Sequence, residues 1–71
     1  MENDVKKKIG ERIRYFRTRK RISQEELSFR SELHRTYISD IERGVRNVSI
    51  VNIKKIASAL GASVSELTKG L

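Results

Sequence analysis

Only four residues, Ser31, Glu32, Leu33 and His34, separate two short helical segments in the middle of this chain. No other feature restricts the fold as much, because so short a link sets two amphipathic helices at a corner rather than side by side as a hairpin. Local chemistry marks the helix boundaries on both sides. Ser23-Gln24-Glu25-Glu26 has the form of a capping box, with Ile22 and Leu27 placed as a hydrophobic staple. Ser49 repeats the cap before a second staple of Val48 and Ile53, and Ser63-Val64-Ser65-Glu66 is another capping box. Gly44 and Gly61 follow apolar-periodic stretches, where a left-handed residue ends a helix.

These signals predict five helices, over about Val5–Lys20, Gln24–Arg30, Arg35–Arg43, Ile50–Leu60 and Val64–Lys69. Val5, Ile9, Ile13 and Phe16 share one face of the first and are read as core. No stretch alternates as a strand does, and no linker, repeat or low-complexity tract divides the chain. The expectation is an all-α fold in a single domain over residues 1–71, with the corner at about residues 24–43 and a C-terminal helix at about 63–70. His34 is placed to cap the third helix.

A chain of 71 residues buries only roughly 60% of its unfolded surface, leaving little room for an enclosed substrate cavity. There is no cysteine and one histidine, which removes disulfides, thiol chemistry and ordinary zinc sites. No serine-histidine-aspartate or paired-carboxylate arrangement suggests catalysis. The chain is therefore expected to be neither an enzyme nor a holder of metal, cofactor or small ligand. The absence of a signal peptide or long apolar run makes a soluble, cytoplasmic protein the expectation.

The net charge of +7 points to nucleic acid. It is unevenly spread: residues 1–22 carry +6, residues 23–44 carry −2 and residues 45–71 carry +3. The Lys6-Lys7-Lys8 and Arg17-Thr18-Arg19-Lys20-Arg21 runs are read either as steering charge or as solvated helix face.

Several phrases stand together in a recognisable order: Ile13-Arg14…Arg17, Ile22-Ser23-Gln24-Glu25-Glu26-Leu27, Tyr37-Ile38-Ser39…Ile41-Glu42-Arg43-Gly44, and Ile53…Ile56-Ala57…Ala59-Leu60-Gly61. In these the chain resembles the lambda-repressor-like, Cro-type regulators known as the XRE family. The stretch from His34 to Asn47 is most similar to controller proteins of restriction-modification systems. The resemblance implies a compact five-helix domain binding double-stranded DNA, with helices two and three as a helix-turn-helix and the third in the major groove.

A rotation count at about 100° per residue agrees: with Ile38 and Ile41 toward the core, Thr36 and Arg43 point roughly 170° away, Ser39 and Asp40 roughly 130°, and Arg35 about 90°. Arg35 and Thr36, in the first turn, are expected to read bases, Arg35 by two hydrogen bonds to guanine and Thr36 against a thymine methyl. Tyr37, Ser39 and Arg43 are expected at the backbone, and the family pattern adds Gln24, Arg46 and Asn47 along the backbone or the adjacent groove. Asp40, a carboxylate facing a polyanion, is expected to orient neighbouring arginines. The same pattern implies a structural ion pair between Arg17 and Glu42.

Two positions depart from the family pattern. Glu32 stands where Gly is usual, in a turn that asks for positive φ, and Ser28 stands where Ala is usual. With the chain ending at Leu71, any dimer is expected to use this domain, and Val64, Leu67 and Leu71 form the stripe assigned to it, Leu67 mainly to the core. The resemblance further implies a homodimer on a pseudo-palindromic operator, with Glu25 and Glu26 as an acidic contact for RNA polymerase. Two alternatives stand beside it: a protein-binding module such as an antitoxin, and a phage-type repressor.

Overall fold

The computed structural model describes the backbone of residues 2–71 and the side chains of residues 4–71. Five helices follow in order: α1 (Glu2–Arg19), α2 (Gln24–Ser31), α3 (Arg35–Glu42), α4 (Ile50–Leu60) and α5 (Val64–Thr68). There is no strand among the described residues. The all-α fold is the one expected, with boundaries shifted by up to three residues. α1 begins before Val5, and Asp4 in its opening turn complements the positive end of the helix dipole.

The caps form largely as the sequence requires. Ser23 Oγ accepts from the Glu26 amide at 3.0 Å and Ser49 Oγ from the Asn52 amide at 3.1 Å. Ser63 and Glu66 close a full capping box at 3.0 and 2.9 Å. The box expected at α2 is one-sided, because the Glu26 carboxylate takes the Arg30 guanidinium at 2.8 Å, one helical turn away. An i,i+4 ion pair thus replaces the return bond to Ser23.

The corner between α2 and α3 is made by Glu32 at φ 61°, in the left-handed region. Its amide and that of Leu33 close back on Phe29 O at 3.4 Å and Ser28 O at 3.1 Å, the usual way a helix end satisfies its last carbonyls. A β-carbon at that angle is strained, and no bond of the Glu32 side chain offsets it. Glu32→Gly should therefore raise stability by about 0.5–1 kcal/mol, a few degrees in Tm, and an unchanged or lower melting point would refute this account of the turn. Arg21 adopts the same conformation at φ 61° between α1 and α2, where no sequence signal predicted it.

Ile13, Leu27, Ile38, Ile41, Ile53, Ile56, Ala57, Leu60 and Leu67 form one buried core drawn from all five helices. Ile9 and Phe16 lie half-buried against it, while Val5 drops out of the expected α1 stripe at 42% exposure. α1 crosses the end of α3 at Gly10. A β-carbon there would overlap Ile41 O and lie 2.9 Å from Glu42 O, so this glycine sets how closely the two backbones approach. Gly44, at φ 76°, takes the chain out of α3 against Lys7 of α1.

Candidate nucleic-acid interface

α3 has two unlike faces. Inward, Ile38 and Ile41 are fully sequestered, and Glu42 buries its carboxylate beside them with only 1% of the side chain exposed. That carboxylate holds three helices together. Arg17 of α1 donates to it from Nε at 2.6 Å and Nη2 at 3.1 Å, and Gln24 at the head of α2 donates at 3.0 Å. Arg17 uses its remaining nitrogen on the Ile22 carbonyl at 2.8 Å, and Arg14 approaches Glu42 from solvent at 3.8 Å. Every buried side-chain nitrogen and oxygen among the described residues has a partner, as a buried charge demands.

The Arg17–Glu42 pair stands where the sequence reading put it, and it fixes the tilt of α3 against α1 and α2. Gln24 is drawn into it. Its amide NH₂ gives one hydrogen to Glu42, so the Gln24 side chain braces the buried carboxylate from the head of α2.

Outward, Arg35, Thr36 and Arg43 are exposed, and Ser39 and Asp40 are half-buried along the flank. His34 heads the helix, its Nδ1 accepting from the Thr36 amide at 3.1 Å in the role expected of it. Arg35 and Thr36 therefore project from a capped first turn. Among the described residues the Arg35 guanidinium has no ion-pair or side-chain hydrogen-bond partner.

Asp40 gathers arginines, the role expected of it from the sequence. Arg43 Nη2 lies 2.8 Å from its Oδ1 and Arg46 Nη1 lies 3.6 Å from its Oδ2. Arg46 also stacks on the Tyr37 ring, its guanidinium carbon 4.8 Å from the centroid. The Tyr37 hydroxyl, expected at the DNA backbone, makes two bonds within the domain. It accepts from Asn52 Nδ2 at 3.1 Å and donates, at 3.5 Å, to the carbonyl of Asn47. Tyr37 thus ties the loop after α3 to both α3 and α4, while the rest of Asn47 stays exposed.

The C-terminal stripe divides between core and surface. Leu67 is wholly buried in its own core, having no surface left for a partner, and Val64 is half-buried beside it. Of the three, Leu71 is the exposed one, at 46%. A more exposed apolar pair was missed: Ile50 and Val51, 71% and 62% open on the first turn of α4. A rotation count had this signal, since Val51 lies about 170° from the centre of the Ile53-Ile56-Ala57-Leu60 stripe.

Among the described residues no group of His, Asp and Glu is arranged to hold a metal ion. No helix is long and apolar enough to cross a membrane.

Comparisons with known proteins agree with this geometry. A family model described as helix-turn-helix matches residues 13–67. The chain is 52% identical over 68 residues to control protein C.BamHI of Bacillus amyloliquefaciens, covering 94% of this chain and 84% of that one. It is 46% identical over 66 residues to control protein C.MunI of Mycoplasma, covering 92% and 89%. Among solved structures, the restriction-modification controller protein C.AhdI of Aeromonas hydrophila superposes with a TM-score of 0.86 at 52% identity, over 87% of this chain and 94% of that chain.

Proposed function

The chain belongs to the helix-turn-helix family of DNA-binding transcriptional regulators, and on that premise we propose that it is the homodimeric controller of a restriction-modification operon, reading a pseudo-palindromic operator. The family is one of regulators and not of enzymes. The observation that carries the reading is the division of α3 into an anchored inner face and an outer face whose leading residues, Arg35 and Thr36, are exposed on a capped turn. In this docking mode the first turn of the recognition helix meets base edges and the flanking residues meet phosphate.

Arg35 reads a guanine through its planar fork and Thr36 packs against a neighbouring base. Arg43, Arg46, Ser39 and the exposed part of Asn47 follow the backbone or the adjacent groove, with Tyr37 and Gln24 contributing from behind. Two copies meet through exposed apolar surface on α4 and at the C-terminus, with Ile50, Val51 and Leu71 as the side chains available to them. The protein works in the cytoplasm, where its operator is. On α2, Glu26 is engaged by Arg30, so a contact to RNA polymerase falls to Glu25 and the exposed Phe29 one turn on.

Selection from randomised duplex DNA, repeated at several salt concentrations, tests the reading. A two-fold-symmetric site with a log-log salt slope of about −0.9 per neutralised phosphate is the expected result. Sequence-blind binding would move an antitoxin-like, protein-partner role to the front. On the recovered site, Arg35→Ala should flatten preference at one base pair per half-site, a loss of about 1–3 kcal/mol in discrimination. A uniform fall in affinity with preference intact would reassign Arg35 to the phosphates.

A further inference from the structure

α4 opens with Ser49 as its cap, and the residue at its third position, where a capping box has Glu or Gln reaching back to the cap, is Asn52. Its amide hydrogen-bonds to Ser49, but its side chain turns away from the helix end and donates to the Tyr37 hydroxyl at 3.1 Å. A phenol oxygen that accepts from an amide NH₂ has its own proton left to give, and the acceptor in reach is the Asn47 carbonyl at 3.5 Å. The Tyr37 ring held by this pair of bonds is the platform on which Arg46 stacks, 4.8 Å away, while Asp40 takes the edge of the same guanidinium at 3.6 Å. Asn52 is half-buried on α4, whereas Arg46 lies in the loop between α3 and α4.

We propose that Asn52 is a positioning residue for DNA recognition, directing the Tyr37 hydroxyl proton to the loop carbonyl and thereby fixing where Arg46 presents its guanidinium to the groove. The inference rests on the DNA-reading role assigned to the outer face of α3. From Asn52 through Tyr37 to Asn47, each donor faces the next group's oxygen. An amide NH₂ gives a proton to Tyr37, whereas a carboxylate at position 52 would take one and release the loop.

The test uses three variants of the full chain, Asn52→Leu, Asn52→Asp and Tyr37→Phe, with the Asn52→Leu/Tyr37→Phe double variant closing a cycle. Two readouts are independent of each other. In the DNA-free protein, NMR should find the Arg46 side-chain protons shifted upfield by the Tyr37 ring in the parent and moved toward ordinary values in all the variants. On the duplex recovered by selection, the ratio of specific to non-specific affinity should fall about three- to tenfold in Asn52→Leu, as for one hydrogen bond, and by no more in the double variant than in Tyr37→Phe.

Asn52→Asp separates positioning from mere support of the fold. A carboxylate near the start of α4 favours the helix, so melting temperature holds or rises while the specificity ratio falls as in Asn52→Leu. The proposal is overturned if Asn52→Leu keeps full discrimination, or if it costs as much in the Tyr37→Phe background as in the parent. It is also overturned if Arg46 shows the same shifts in parent and Asn52→Asp. Failure of the parent to select any site would strike the DNA-reading role itself, leaving the DNA-free shifts to report on the relay alone.

Discussion

Gly10→Ala should lower the melting temperature by about 10–20 °C, corresponding to a net loss of about 2–3 kcal/mol in a domain of this size. On helix propensity alone the change would stabilise, since Ala is the better helix former by about 1 kcal/mol. The opposite sign is expected because the added methyl meets the carbonyl oxygens of Ile41 and Glu42, and both are backbone atoms of the last turn of α3. A flexible side chain would swing aside; a helix end can yield only by moving as a unit. α1 and α3 must then separate, which also lengthens the Arg17–Glu42 bonds. Thermal unfolding followed by circular dichroism measures the effect, and a Tm within two or three degrees of the parent would show that the approach of these helices is softer than its geometry implies.

Arg17→Ala should cost about 3–5 kcal/mol, comparable with the whole stability of a small domain. The size comes from what is left behind. Glu42 would stay buried as an anion with the Gln24 amide and a distant Arg14 as its remaining partners. The pair itself need add little net stability, so replacing both partners should be milder: Arg17→Met with Glu42→Gln is expected to recover at least half of the loss. Arg17→Lys should behave nearer to the Ala variant, because an ammonium cannot reach both carboxylate oxygens and the Ile22 carbonyl at once. Denaturant titration of the four proteins decides it. A double variant as unstable as Arg17→Ala would mean that the side chain's packing, and not the stranded charge, dominates.

The sequence-based expectations hold best where chemistry is local. Ser23, Ser49, Ser63 and His34 cap the helices they precede, and Glu32 takes the left-handed turn that its neighbours impose despite its β-carbon. Each of these is decided within four residues along the chain. Arg21 takes the same backbone angle without Gly or Asn to announce it, as its amide and that of Ile22 close back on Thr18 O and Arg17 O at the end of α1. The meaning of Gly10 lies in carbonyls some thirty residues away, so in the sequence it reads as a weak spot in a helix and nothing more.

The candidate site divides in the same way. The outward direction of Arg35, Thr36 and Arg43 follows from helical rotation alone, and the Asp40 contacts follow from charge at short spacing. What Gln24 and Tyr37 do with their polar ends does not follow, because Glu42, Asn52 and the Asn47 carbonyl become their neighbours only after folding. Leu67 shows the limit from the other side. Its spacing fits an interface as well as the core to which it was mainly assigned, and the packing of α5 onto its own domain takes it for the core.

The separation of α3 into a welded side and an unencumbered side has a consequence for how such proteins diversify. Ile38, Ile41 and Glu42 carry the fold, whereas Arg35 and Thr36 carry none of it. On the proposed reading of this face, exchanging those two side chains should retarget the protein without a toll on stability. Tyr37 is the exception, since it serves both sides at once. A change at Tyr37 must be accommodated by Asn52 and the loop together, which makes that position a hinge between the scaffold and the surface it presents.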